Sequence, residues 1–152
     1  MGTRSLSLVG AALVSAVVLT ACGDEVGTDL PIVDLPADLI YVTDSAGGLH
    51  VFDASTLARL GSLPVGDEPS EVHATPDGAL VWVLSRGSNS ISLIETATHE
   101  VKTVGVGVSP VHSYIAPDYG TIWVGNDGSA SVSVIDVATR SLLETVITGA
   151  GH

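Results

Sequence analysis

Cysteine, aromatic rings and positive charge are all scarce in this sequence, and each scarcity removes a class of function. A single cysteine, Cys22, in 152 residues leaves no pair for a disulfide framework and no thiolate cluster for zinc. Five Lys and Arg against seventeen Asp and Glu give a net charge of −12, which disfavours the approach of nucleic acid or of anionic lipid headgroups. Nucleic-acid binding is therefore set aside. Catalytic signatures are missing too: there is no Gly-x-Ser-x-Gly nucleophile elbow, no phosphate-binding loop and no His-Glu-x-x-His zinc motif. With few charges, few aromatics and seventeen glycines, the length allows one modest domain with a real core.

The first residues stand apart. One basic residue, Arg4, precedes an uncharged, mostly apolar run from Ser5 to Ala21 that is rich in small side chains. Such a run reads as an export signal rather than a spanning helix with charged flanks. It ends in Leu19-Thr20-Ala21-Cys22, which resembles the bacterial lipobox. That resemblance implies cleavage before Cys22, lipidation of its thiol (palmitate among the acyl groups) and anchoring of the chain to the cell membrane on its extracytoplasmic side. The mature chain would then carry four basic against seventeen acidic residues, a net of −13, and no free thiol. Gly23 after the cysteine argues weakly against retention at an inner membrane. Residues 22–38 hold five of the acids and Pro31 and Pro36, the composition of a tether between the membrane and a domain at 39–152.

Beyond the tether the sequence repeats. Tyr41-Val42-Thr43-Asp44, Trp82-Val83-Leu84-Ser85 and Trp123-Val124-Gly125-Asn126 start 41 residues apart, and the same offset relates Gly66 to Gly107, Pro69 to Pro110 and Pro76 to Pro117. Val51-Phe52-Asp53, Leu93-Ile94-Glu95 and Val134-Ile135-Asp136 follow at 42 and 41. Local signals within each copy are those of short strands and tight turns. Pro76-Asp77-Gly78 is a turn in which Gly supplies the positive φ, and Leu80–Leu84 and Thr121–Val124 are strands rich in β-branched and aromatic residues. Asn126-Asp127-Gly128 is the next hairpin turn. Ser131 to Ile135 alternates polar and apolar residues, so one face of that strand is buried. Asp53, Glu95 and Asp136 open a recurring turn, which an aspartate closes by accepting main-chain N–H groups; the longer Glu95 suits it poorly. A fourth strand, Val101–Val106 or Leu142–Thr148, completes the unit. Four antiparallel strands per 41 residues define a β-propeller blade, and the fold class is all-β.

The same residues carry a family resemblance. The Gly-x-x-Pro lead-in (Gly66 to Pro69, Gly107 to Pro110), the Pro-Asp-Gly turn, the aromatic-Val strand, the Ser-x-Ser-[Leu/Val]-Ile-[Asp/Glu] strand and the Ala-Thr turn together resemble the YVTN-type β-propeller repeat, a relative of surface-layer and quinoprotein-like propellers. Two departures are expected to matter: Pro117-Asp118-Tyr119-Gly120 lengthens one turn, and His152 replaces the lead-in proline of a further copy. Residues 39–152 supply two whole copies and most of a third, whereas a propeller closes with about four to eight blades. The chain is accordingly expected to be the N-terminal piece of a longer propeller. The rival expectation is a short protomer that closes a ring by self-association as a homo-oligomer.

Candidate chemistry sits on the innermost strands, which converge on a propeller's channel. His73 and His112 lie there in consecutive copies; Glu71 is equivalent to His112, His73 to Tyr114, and His152 would enter the next blade at the same rim. His73, His112 and His152 are candidate ligands for Zn²⁺ or Cu²⁺, or an axial ligand for haem. The competing reading is a set of isolated polar residues hydrogen-bonded at a channel mouth. Tyr41, Trp82 and Trp123 are read as blade-core residues, and Asn126 to Ser129 as a turn rather than a Ca²⁺ loop. The first functional expectation is a non-enzymatic binding or scaffold module that engages a protein or cell-envelope component and requires no cofactor. The second is a metal- or haem-handling propeller, resembling periplasmic zinc-chaperone propellers or the haem domain of cytochrome-type nitrite reductases. A quinoprotein-like enzyme is a third, for which no residue here supplies a cofactor motif.

Overall fold

The structure, a computed structural model, describes residues 15–16, 38–44, 46 and 48–149. Cys22, the segment 22–37 and His152 lie outside the described residues. The described chain folds as β1 (Ser15–Ala16), β2 (Leu39–Thr43), β3 (Gly48–Asp53), β4 (Arg59–Pro64), β5 (Pro69–Ala74), β6 (Leu80–Ser85), β7 (Ser90–Glu95), β8 (Val101–Gly105), β9 (Pro110–Ile115), β10 (Thr121–Asn126), β11 (Ser131–Asp136) and β12 (Ser141–Ile147). These strands form three four-stranded sheets, β1 to β4, β5 to β8 and β9 to β12, each with its strands in chain order. They are successive blades of an incomplete β-propeller. The second and third are antiparallel throughout. In the first, the strand beside β2 is β1, which comes from the run read as an export signal and would be lost on cleavage before Cys22; it pairs in parallel, Ser15 opposite Ile40 and Ala16 opposite Tyr41.

The sequence repeat becomes a repeat of register. Trp82 faces His73 and Leu93 across the sheet, and Trp123 faces Tyr114 and Val134 at the same positions of the next blade. Turn chemistry repeats as well. Gly78 sits at φ 69° with Ala79 N–H donating to Asp77 Oδ1 at 3.0 Å; Tyr119 sits at φ 59° with Gly120 N–H donating to Asp118 Oδ1 at 3.0 Å. The Pro-Asp-Tyr-Gly turn is thus no longer than its counterpart. Tyr119 occupies the left-handed slot itself, at a strain of about 1 kcal/mol or more. A second correction concerns Asn126-Asp127-Gly128: residues 127–129 form one 3₁₀ turn and Ala130, at φ 45°, carries the left-handed conformation. Gly128 is required for space instead, because a Cβ there would lie 2.8 Å from Val108 Cγ1.

Two cores hold the blades together, one in each seam. Tyr41, Leu49 and Val51 of the first blade pack on Val72, Val81, Val83 and Ile94 of the second. On the other face of the second blade, Leu80, Trp82, Leu84, Ile91 and Leu93 pack on Ile122, Val124 and Ile135 of the third. Every residue of β6 is therefore buried, while β10 alternates between buried and open. In β11 the buried face is the polar one at its start: Ser131 and Ser133 are turned towards the second blade and receive Asn126 Nδ2 at 3.2 and 3.0 Å.

Candidate functional site

Alternation along β5 decides where its polar residues point. Val72 is buried against the first blade, so Glu71 and His73 face the third. On β9, Ser113 is buried towards the second blade, and His112 and Tyr114 flank it at the open inner rim. Glu71 gathers this seam. Its Oε1 lies 2.7 Å from His112 Nδ1, and its Oε2 lies 3.2 Å from His73 Nε2 and accepts Ser113 N–H at 3.1 Å. His73 in turn stacks on Trp82 with ring centroids 5.4 Å apart, and Trp82 Nε1 donates to Ser113 Oγ at 2.9 Å. Both oxygens of the carboxylate are engaged, so the group acts as a brace between two blades.

Of the residues singled out in the sequence, Glu71, His73 and His112 come together. Tyr114 does not join them: it is largely exposed and pairs with Trp123 on the far face of the third blade. His112 is the most open of the three, its side chain 69% exposed against 43% for His73 and 23% for Glu71. Among the described residues no group of three or more His, Cys, Asp or Glu side chains is arranged to hold a metal ion. The bond from Trp82 to Ser113 is the part of the seam that sequence reasoning missed, since a separation of 31 positions matches no repeat offset.

The acidic turn residues behave as structural groups. Asp53 Oδ1 accepts the N–H groups of Ser55 and Thr56, both at 2.7 Å, and Asp136 Oδ1 accepts Thr139 Oγ1–H and N–H, both at 2.6 Å. Backbone bonding from Thr56 holds the Asp53 carboxyl below its ordinary range, and the Thr139 hydroxyl does so for Asp136. Among the described residues the Glu95 carboxylate accepts Thr98 Oγ1–H at 2.8 Å and no main-chain N–H, as its longer side chain predicts. Asp44 is likewise lowered, first by its bond from His50 and then by the N–H groups of Ala46 and Gly48. Burial pushes the Tyr41 phenol up to about 12 and lowers the His99 imidazole.

No family model and no curated protein matches the chain. Solved structures do. Hydrazine synthase from Kuenenia stuttgartiensis is 27% identical with a TM-score of 0.60, over 65% of this chain and 29% of that one. Dihydro-heme d1 dehydrogenase NirN, solved in complex with DHE, is 17% identical with a TM-score of 0.64, over 82% of this chain and 26% of that one. The periplasmic gluconolactonase PpgL of Pseudomonas aeruginosa is 21% identical with a TM-score of 0.56, over 72% and 36%. The likeness is one of fold, and the chain spans about a quarter to a third of the length of these proteins.

Proposed function

We propose that this chain is a lipid-anchored, extracytoplasmic β-propeller segment of the YVTN type that acts as a non-enzymatic binding or scaffold module for a protein or cell-envelope component. The observation that carries this reading is the state of Glu71, the strongest candidate for channel chemistry. Its carboxylate oxygens are occupied by His112, His73 and the Ser113 N–H, which leaves it a brace and not a poised acid or base. The anchor rests on Leu19-Thr20-Ala21-Cys22 at the end of an apolar run. A metal- or haem-handling role is the second reading, favoured by one feature: His73 and His112 converge on a shared carboxylate at an open rim.

Two experiments test these statements. Expression in a bacterial host with an alkyne-tagged palmitate should label the chain and place it in the membrane fraction, and Cys22→Ser should abolish the label; persistence of the label in that variant overturns the anchor. Calorimetric titration with Zn²⁺ should give no saturable heat. A saturable signal that His112→Ala removes would establish the second reading in place of the first.

A further inference from the structure

Each seam between blades contains a patch of serines under a glycine, and the two patches are filled differently. In the second seam Asn126 lies beneath Gly107, where a Cβ would come within 2.6 Å of Asn126 Cγ. Its Nδ2 donates to Ser131 and Ser133 at 3.2 and 3.0 Å, and Ser129 and Ser131 stand 2.8 Å apart. The repeat offset makes Gly66, Ser88, Ser90 and Ser92 the equivalent residues of the first seam, and Ser88 and Ser90 are again 2.8 Å apart. One position differs in kind: where the third blade has Asn126, the second has Ser85.

A serine is too short to bring an amide to its neighbours. Ser85 stands on the face of β6 that turns Val81 and Val83 towards the first blade, opposite Ser90 in register, with its Cβ 2.7 Å from where a Cβ of Gly66 would lie. It is fully buried, and its Oγ has no hydrogen-bond partner among the described residues, a state that calls for a partner from elsewhere. Beside it an open cleft of about 490 Å³ separates residues 64–66 from the outer half of the second blade. Ser88, Ser90 and Thr103 give this cleft hydroxyl groups, while Pro64, Val65 and Val101 give it apolar surface. No charged side chain lines it. Both walls are internal to the chain, and neither β1 nor the third blade contributes to them.

We infer that this cleft binds the acetamido group of an uncharged, N-acetylated sugar. An amide is the group that the second seam supplies from its own chain at the equivalent place. One N–H suffices in the first seam, because Ser92 Oγ, the counterpart of Ser133, is already bonded to Thr103 Oγ1 at 3.1 Å, and Ser90 is left to accept. That selects a secondary amide over a primary carboxamide. The Ser85 hydroxyl supplies the donor for the amide carbonyl, Pro64, Val65 and Val101 seat the acetyl methyl, and Ser88 and Thr103 meet ring hydroxyls. An uncharged wall on a chain of net charge −12 favours a neutral ligand over an anion. The volume lies within the about 300–1,000 Å³ of small-molecule sites. The inference rests on the binding-module reading and gives the chemistry of what is bound.

Saturation-transfer NMR on the full chain in deuterated detergent tests it, with N-acetylglucosamine, glucose and N-acetylalanine amide as probes. N-acetylglucosamine should receive saturation, most strongly at its acetyl methyl, and the other two should receive little. Ser85→Asn supplies the amide from within, so it should abolish the transfer while keeping the β-sheet circular dichroism spectrum. Thr103→Val removes a hydroxyl at an exposed position and should weaken the transfer several-fold, which keeps the test decisive if Ser85→Asn loses its fold. Transfer unchanged in either folded variant overturns the assigned cleft. Equal transfer to glucose overturns recognition of the acetamido group, and equal transfer to N-acetylalanine amide overturns the sugar. No transfer to any probe, from a chain that still takes the palmitate label, overturns the inference and leaves the anchored module to a protein partner.

Discussion

Replacing Ser113 by alanine should cost more than its small size suggests, and the reason lies in the opposite blade. Ser113 Oγ accepts the indole N–H of Trp82 at 2.9 Å, and the two residues are 4% and 2% exposed. Without the hydroxyl the indole donor stays buried with no partner, a penalty of about 1–3 kcal/mol. Trp82→Phe removes that donor together with part of the ring, at about 2 kcal/mol from lost packing. In the Trp82→Phe background there is no stranded N–H, so Ser113→Ala should then cost only about 0.5 kcal/mol, and the cycle should show coupling of about 1–2 kcal/mol. Urea unfolding at fixed protein concentration measures all four chains. With a slope of about 1–3 kcal/mol per molar, a 2 kcal/mol loss moves the midpoint by roughly 1 M. Equal costs for Ser113→Ala in both backgrounds would refute the hydrogen bond as the link between the blades.

Other outcomes follow from the same contacts. Glu71→Gln replaces one acceptor oxygen by an N–H₂ donor facing donors, and should lower stability by about 1–3 kcal/mol in urea unfolding, whereas His112→Ala, at the open rim, should cost less than about 1 kcal/mol. Gly66→Ala would drive a Cβ into the Ser88 hydroxyl and to 2.6 Å from Ser90 Oγ, and should lower the melting temperature clearly; Gly105→Ala, with nothing within 4 Å, should stay within about 0.5 kcal/mol of the parent. Asp53 and Asp136 have folded-state pKa values below their unfolded ones, so their contribution is present above the ordinary carboxylate range and is lost as pH falls through the depressed values. Melting temperatures recorded from pH 6 down to pH 2, as chosen assay conditions, should fall less steeply for the Asp53→Asn/Asp136→Asn double variant than for the parent.

Much of the architecture is legible from the spacing of a few residues. The 41-residue offset places Tyr41, Trp82 and Trp123 at one position of three sheets, and the poor fit of Glu95 to its turn follows from side-chain length alone. The offset also explains why Glu71 meets His112, because equivalent positions on adjacent blades are neighbours at the inner rim. What periodicity does not reveal is which side of a blade has a neighbour. Trp82 and Trp123 each stand between two β-branched residues of equivalent strands, yet one is enclosed and the other half open, since burial here depends on the next sheet and not on the strand itself. For the same reason the alternation of Ser131 to Ile135 does not say that the serines face inwards; the buried Asn126 amide supplies the donors that make this affordable. The turn at Tyr119 was hidden by chemistry, as an aromatic residue is a poor signal for a left-handed backbone.

Residue-resolved amide hydrogen exchange of the full chain tests most directly the claim that three blades stack with the second at the centre. The account predicts that the slowest amides fall in β6 and β7, Leu80–Ser85 and Ser90–Glu95, which are covered on both faces. Fast, uniform exchange across those two strands would contradict it.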